Sequence, residues 1–371
     1  MLKNIIYIIL KWILPVQKNK ILFFGYYGAQ YGCSPKYISQ YFTKQADNLD
    51  IVWATLDKTK ITDAKVRKVN YASIKFYYEL ATAQWIITNY RLPLNFNKRK
   101  NQRYIQTWHS SLRLKKIEAD AESYLPNNYV EMAKNDSPQI DYLLSGCKES
   151  SEIFKRSFWY QGKILEVGTP RIDPLLNIES DEISKIKNEL NIDSKIRLVL
   201  YAPTFRKNDD YSCYMQDFNI LVEQLKTNWG GEWRVMVRLH PHLLNKASDI
   251  IKSEQVIDVT AYQDIQELLM ISDVVISDYS SLIFDFMFTK KPVVLYVPDL
   301  KDYLKNDRPL YYALDQLPFL IANDHQEVIE HIKNFNQEDY KEKVELFLQK
   351  IGSFEQGYAC EKIYQLIKHE L

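Results

Sequence analysis

What this chain lacks narrows its function before anything it contains. No Gly-x-Gly-x-x-Gly follows an apolar run, and no Walker Gly-Lys-Ser/Thr is present. A dinucleotide cradle and an ATP P-loop are therefore disfavoured. His-Glu-x-x-His and Gly-x-Ser-x-Gly are missing too, which disfavours a zinc peptidase and an α/β-hydrolase. The four cysteines, Cys33, Cys147, Cys213 and Cys360, are scattered without a Cys-x-x-Cys pair or zinc spacing. That pattern reads as free thiols in a reducing cytoplasm. No carboxylate cluster suits a metal and no cofactor motif appears, so neither a metal nor a cofactor is expected. The net charge of +1 supplies no global attraction to nucleic acid, and any basic surface must be local. No apolar run reaches the roughly 20 residues of a spanning helix, and no internal repeat or low-complexity tract occurs.

What is present is globular: 46% hydrophobic and 26% charged residues in a chain of 371, enough for two domains of ordinary size. The N-terminus stands apart. Met1 to Leu14 is mostly Ile, Leu and Trp, with Lys3, Tyr7 and Lys11 at i, i+4 and i+8 on one helical face. Ile6, Ile9, Leu10 and Ile13 lie largely away from that face, Pro15 ends the segment, and Lys18 and Lys20 follow. No small-residue cleavage site marks a secretory signal. Residues 1–20 are expected to form an amphipathic helix lying in the inner leaflet. The competing reading is a helix docked on the protein's own core.

From Ile21 onward, short apolar runs alternate with helical spacing. Strands are expected at Ile21–Gly25, Asp50–Ala54, Val66–Val69, Gln84–Asn89, Gln102–Trp108, Ile140–Ser145 and Lys163–Val167. A charged stretch from Asn177 to Asp193 then links to a second series, at Arg197–Ala202, Trp233–Leu239, Val256–Val259, Val274–Ser277 and Pro292–Val297. Helices separate them, one of them Ser280–Phe288, and the tail from Gln326 to Leu371 reads as helical. Strand–helix alternation means parallel sheets covered on both faces. The expected fold is α/β: two Rossmann-like, doubly wound domains, 21–175 and 176–371, facing a cleft.

Polar islands stand at the ends of several strands, where an α/β protein places its chemistry. They are Thr107-Trp108-His109, Tyr201-Ala202-Pro203-Thr204-Phe205-Arg206, Arg238-Leu239-His240-Pro241-His242 and Ser277-Asp278-Tyr279-Ser280-Ser281. Histidine, arginine and a helix N-terminus together suit a phosphate-bearing substrate. Ser280 and Ser281 would open a helix whose N–H groups face an anion, although plain N-capping needs no ligand. Asp278 would repel a phosphate and is better suited to holding backbone or a sugar hydroxyl. Arg238 and His240 alternate on one strand face, where a cation beside an imidazole can bind an oxyanion and move a proton. A structural histidine is the simpler alternative. His109 precedes Arg113, Lys115 and Lys116, a general base flanked by cations; the lysine pair is equally a solvated helix face. Arg206 is a second candidate phosphate clamp.

In order and spacing, these islands resemble the CDP-glycerol glycerophosphotransferase family, whose members build teichoic acids and related capsules. The resemblance spans roughly residues 20 to 350. It also rests on Tyr37-Ile38, Leu114-Lys115-Lys116-Ile117, Gly168-Thr169-Pro170-Arg171-Ile172-Asp173, Asp285, Lys291-Pro292, Asp299, Tyr303 and Arg308. It implies a GT-B-like arrangement and peripheral attachment at the cytoplasmic face of the cell membrane. It further implies a CDP-glycerol or CDP-ribitol donor and a lipid-linked saccharide or polyol-phosphate acceptor. His109 and His240 are then the catalytic pair. Thr204, Arg206, Arg238, Asp278, Ser280, Ser281 and Arg308 fall on the donor side, and Lys115 and Lys116 on the acceptor side. The chain departs from the family pattern at His109-Ser110-Ser111-Leu112, where His-Gly-Thr-Pro is usual, at Ser34-Pro35-Lys36 for Asn-Pro-Lys, and at Pro309 for Gly. A GT-B glycosyltransferase using a nucleotide sugar, and a non-catalytic scaffold of a polymer-assembly complex, are the alternatives.

Overall fold

The computed structural model describes residues 2–45, 48–56, 61–92, 96–206, 214, 217–239 and 253–370. The chain divides into two compact units, each built on an all-parallel sheet. The first sheet takes β1 Gln17–Phe24, β2 Asp50–Thr55, β3 Val66–Asn70, β4 Ala83–Thr88, β5 Arg103–Gln106, β6 Tyr142–Leu144 and β7 Lys163–Leu165, in the order β3-β2-β1-β4-β5-β6-β7. Its central strands are apolar without alternation because helices cover both faces. Ile21 to Phe24 are all fully buried, and Leu22 registers with Val52 on one side and Ile86 on the other. Phe23, Trp53, Trp85 and Ile105 pack one face beneath Ile38 and Phe42.

The second sheet takes β8 Arg197–Ala202, β9 Trp233–Val237, β10 Val256–Asp258, β11 Val274–Ser277, β12 Val293–Tyr296 and β13 Leu320–Ala322, in the order β10-β9-β8-β11-β12-β13. Leu200 registers with Met236 and with Val275. Val199, Trp233, Val235 and Ile276 form the core under Leu221 and Leu225.

The two units are not the continuous halves that the alternation suggests. The first comprises Met1–Ser111, Ile117–Asp173 and Gly352–Leu371; the second comprises Leu112–Lys116 and Pro174–Ile351. The expected 176–371 domain therefore gives up its end. Helix Ala359–Glu370 returns to the first sheet, where Cys360, Ile363, Tyr364 and Ile367 join the core and Asp173 accepts hydrogen bonds from the Ala359 and Cys360 amides at 3.0 and 2.8 Å. The strip carrying Lys115 and Lys116 crosses the other way. Lys115 forms an antiparallel bridge with Leu310, and the Lys116 amide donates to the Pro309 carbonyl at 2.8 Å.

Residues 1–20 are not a separate domain but part of the first unit, and helix Leu2–Ile13 lies within them. Its polar stripe faces the protein: Tyr7 is 3% exposed, and its hydroxyl and the Lys11 ammonium donate to the Asn97 carbonyl at 3.1 and 2.8 Å. Its apolar side faces out, with Ile8 and Ile9 each 51% exposed, Ile13 67% and Trp12 83%. Among the described residues no helix is long and apolar enough to cross a membrane.

Candidate functional site

Each sheet reverses its winding once, between β1 and β4 in the first and between β8 and β11 in the second. At such a point neighbouring loops diverge and leave a crevice beyond the strand ends, the usual ligand position of doubly wound folds. The islands after β8 and β11 fall at the second reversal, and those after β5 and β9 lie one strand away from a reversal.

In the second unit, the loop after β8 meets the loop after β11. Asp278 accepts from the Thr204 amide at 2.8 Å, the Thr204 hydroxyl at 2.6 Å and the Tyr279 amide at 2.6 Å. Holding backbone is the role its charge suggested. Arg206 donates twice to Asp299 at 2.6 and 3.1 Å, to Asp278 at 2.9 Å and to the Thr204 carbonyl at 2.6 Å. Its guanidinium, expected from sequence to clamp phosphate, is thus spent tying three strand-end loops together. Tyr279 stacks on Tyr303 at 3.5 Å, and its hydroxyl donates to Asp299 at 3.0 Å. Lys115 lies over the Tyr303 ring at 5.2 Å. Burial pushes its ammonium down to about 8, which Asp307 opposes and Arg308 reinforces. Lys115, expected on the acceptor side, therefore belongs to the same cluster as Arg206, Asp278 and Arg308. Lys116 lies beside it, hydrogen-bonded through its backbone.

Ser280 and Ser281 are half-buried, but the helix they precede is the five-residue turn Leu282–Phe286, two residues shorter at its start than expected. Ser281 makes no capping hydrogen bond, and Ser280 Oγ accepts from the Leu282 amide at 3.4 Å. So short a helix offers little dipole, and any contact to an anion must come from the hydroxyls and local N–H groups. Arg238 follows β9, half-buried, with its amide donating to the Tyr201 carbonyl at 2.9 Å. His240 and His242 lie outside the described residues. Asp285 accepts from Gln266 Nε2 at 2.9 Å, away from this rim.

In the first unit, His109 stands past β5. The preceding Trp108 has φ of 51°, a left-handed conformation rare for a bulky side chain. Gln106 Oε1 accepts from its amide at 2.9 Å, and the Thr107 hydroxyl donates to its carbonyl at 2.9 Å. The Trp108 indole stacks on the His109 ring at 4.2 Å, while Arg171 donates to the His109 carbonyl at 2.7 Å. Behind Trp108, Arg91 lies 3.8 Å over the Phe158 ring and pairs with Glu118 at 3.0 Å and Asp136 at 3.2 Å, all three nearly fully buried. Burial pushes the Asp136 carboxyl up to about 6, against the pull of Arg91. The His109 imidazole thus has an aromatic backing and follows a strained backbone position. His109 and the motif holding Arg171 are legible in the sequence, but Arg91 and Tyr90 are not, their only signal being a position just past a strand. Among the described residues, no group of three or more His, Cys, Asp or Glu side chains could hold a metal ion.

Two all-parallel, doubly wound units define a GT-B-like protein of two Rossmann-like domains. Comparison with known proteins narrows this. Residues 6–369 match the family described as CDP-Glycerol:Poly(glycerophosphate) glycerophosphotransferase, and the chain belongs to that family. It is 33% identical to the teichoic acid poly(glycerol phosphate) polymerase of Bacillus spizizenii, over 95% of this chain and 93% of that one. It is 32% identical to the polymerase of the same description from Bacillus subtilis, over 95% of this chain but 49% of that one, and so spans about half that relative's length. A solved structure of the wall teichoic acid polymerase TagF superposes with a TM-score of 0.86 at 32% identity, covering 99% of this chain and 93% of the other.

Proposed function

We propose that this protein transfers a polyol phosphate, glycerol phosphate foremost, from a CDP-polyol to a hydroxyl of a membrane lipid-linked glycan or polyol-phosphate acceptor during teichoic acid assembly. The observation that carries this reading is the family match over nearly the whole chain, together with a histidine backed by Trp108 at the end of β5. The acceptor oxygen attacks the donor phosphorus that bears the polyol, a new P–O bond forms, and the P–O bond to CMP breaks. His109 takes the acceptor proton. Ser280, Ser281, Arg238, Arg308 and Lys115 hold phosphate oxygens and the leaving CMP, with His240 as their partner. Arg206, Asp278 and Thr204 keep that rim in shape. The charge that develops on the phosphoryl oxygens is what this cationic rim stabilises.

Mass spectrometry of products from a synthetic lipid-linked acceptor, offered CDP-glycerol, CDP-ribitol and a UDP-sugar in turn, tests this. The expected product carries one or more glycerol phosphates and appears with an equal amount of CMP. Sugar transfer from the UDP donor, with no CMP from either CDP-polyol, overturns it.

The outward apolar side of helix Leu2–Ile13 supports peripheral attachment to the inner leaflet, which brings the acceptor within reach. A variant carrying Ile9→Glu and Trp12→Glu keeps the Tyr7 and Lys11 anchors. It is expected to lose about tenfold or more of its binding to anionic vesicles in cosedimentation while still turning over a water-soluble acceptor. Unchanged sedimentation counts against this attachment.

A further inference from the structure

The rim around His109 carries a second feature that the transfer chemistry does not use. The loop after β1 presents Tyr26 and Tyr27 at φ of 50° and 52°, two consecutive aromatic residues in the left-handed region. Strain of this kind persists where the surroundings over-determine it, and it gathers at ligand sites. The surroundings are visible here. The Tyr26 amide donates to Asn89 Oδ1 at 3.1 Å, and the Gly28 carbonyl accepts from the Leu56 amide at 2.7 Å. Gly28 itself has φ of 83°, and a Cβ on it would come within 2.5 Å of the Tyr71 side chain. The loop is pinned at both ends and stands at the β1/β4 reversal with both tyrosine rings against Tyr90.

Tyr90, past β4, receives them. Its ring lies 5.3 Å from Tyr26 and 4.6 Å from Tyr27, the latter edge-on, and 5.9 Å from the His109 ring. A row of rings thus runs from Tyr27, 36% exposed, to the imidazole. Among the described residues neither the Tyr27 nor the Tyr90 hydroxyl is hydrogen-bonded, which leaves both to a ligand or to solvent. The cations nearby are spent. Arg91 is paired with Glu118 and Asp136, Arg171 donates to the His109 carbonyl, and Lys36 is buried over the rings of Tyr31 and Tyr37. A rim of rigid aromatic surface with polar tips suits a polyhydroxylated ring, which stacks on one face and hydrogen-bonds at its edge.

We propose that Tyr26, Tyr27 and Tyr90 form an acceptor subsite that stacks a neutral sugar ring and directs one of its hydroxyls, or that of its substituent, to His109. This deepens the transferase reading and rests on it: it makes the preferred acceptor a glycan terminus rather than a growing polyol-phosphate chain.

The test uses Tyr27, which is exposed and stands clear of the groups assigned to catalysis. Tyr27→Ala is expected to raise KM for a sugar-terminated lipid acceptor about tenfold, with KM for CDP-glycerol within about twofold of wild type. Tyr27→Phe, which keeps the ring, restores most of the loss. For an acceptor ending in polyol phosphate, Tyr27→Ala and wild type are expected to behave alike. An equal effect on both acceptors, or an acceptor KM within about twofold of wild type, overturns the subsite. A binding measurement separates this from failure of the transferase reading. Saturation-transfer NMR with the methyl glycoside of an N-acetylhexosamine is expected to show contact in the wild type, loss of contact in Tyr27→Ala and no competition from glycerol 3-phosphate. Contact in a protein inert to every CDP-polyol would retire the transferase reading and keep the subsite; absence of contact in the wild type would retire the subsite.

Discussion

His109→Ala lowers turnover by about 10²–10⁴-fold, with KM for CDP-glycerol changed by no more than a few-fold. The magnitude is that of a lost general base: the acceptor hydroxyl must then ionise into water, while the donor rim on the second unit is untouched. The selectivity follows from how the residue is held. Trp108 keeps its left-handed backbone through Gln106 and Thr107, and Arg171 binds the residue's carbonyl, so removing the imidazole leaves the loop anchored. Steady-state CMP release, with thermal melting as the control for folding, measures it. Removal of the base also flattens the acidic limb of the kcat profile against pH, which a merely structural histidine would leave in place. A variant retaining more than about a tenth of wild-type turnover at an unchanged pH profile would remove His109 from the mechanism.

Glu355→Gln makes the protein more stable above neutrality and erases a pH dependence of stability. Glu355 Oε2 accepts from the Thr169 amide at 2.8 Å, and its other carboxyl oxygen is shielded from solvent beside Ser111. Burial pushes the carboxyl up to about 8, against the downward pull of the Thr169 hydrogen bond. In the unfolded chain the group ionises near its ordinary value of 4.5. Between these two values the folded state holds a proton that the unfolded state has released. Stability therefore falls as pH rises from about 5 to 8, by an upper limit on the order of 4–5 kcal/mol. A glutamine keeps the acceptor for Thr169 and has no proton to lose. Melting curves of both proteins from pH 5 to 9 are expected to start close together and separate, with the wild type falling. Parallel curves would show that the carboxyl is hydrated after all.

The islands were legible because a parallel strand ends abruptly. Apolar runs such as Val274–Ile276 stop at a polar residue, which marks where the strand gives way to a loop. His109, Thr204, Asp278 and Arg238 were found for that reason, and all stand just past strands β5, β8, β11 and β9. What each does with its neighbours was not legible. Arg206 and Ser280 both read as phosphate ligands from their types alone. The structure separates them, giving Arg206 to Asp278 and Asp299 and leaving Ser280 half-buried on the rim. Lys115 follows His109 by six positions in sequence but bridges Leu310 within the second unit.

Periodicity and the positions of polar breaks are local properties, carried by a few consecutive residues. From them alone the chain is committed to two parallel α/β sheets, an amphipathic first helix and a set of strand-end loops rich in histidine, arginine and serine. The contacts that turn those loops into sites span long stretches of chain: 74 residues from Thr204 to Asp278, 93 from Arg206 to Asp299, 186 from Thr169 to Glu355. Strand order alone brings such partners together, and strand order is set by how buried faces pack, which no short window of residues records. Only the folded chain, accordingly, returns the last helix to the first sheet, spends Arg206 inside the protein, turns Tyr7 inward with Trp12 outward, and lines up Tyr27 and Tyr90 with His109.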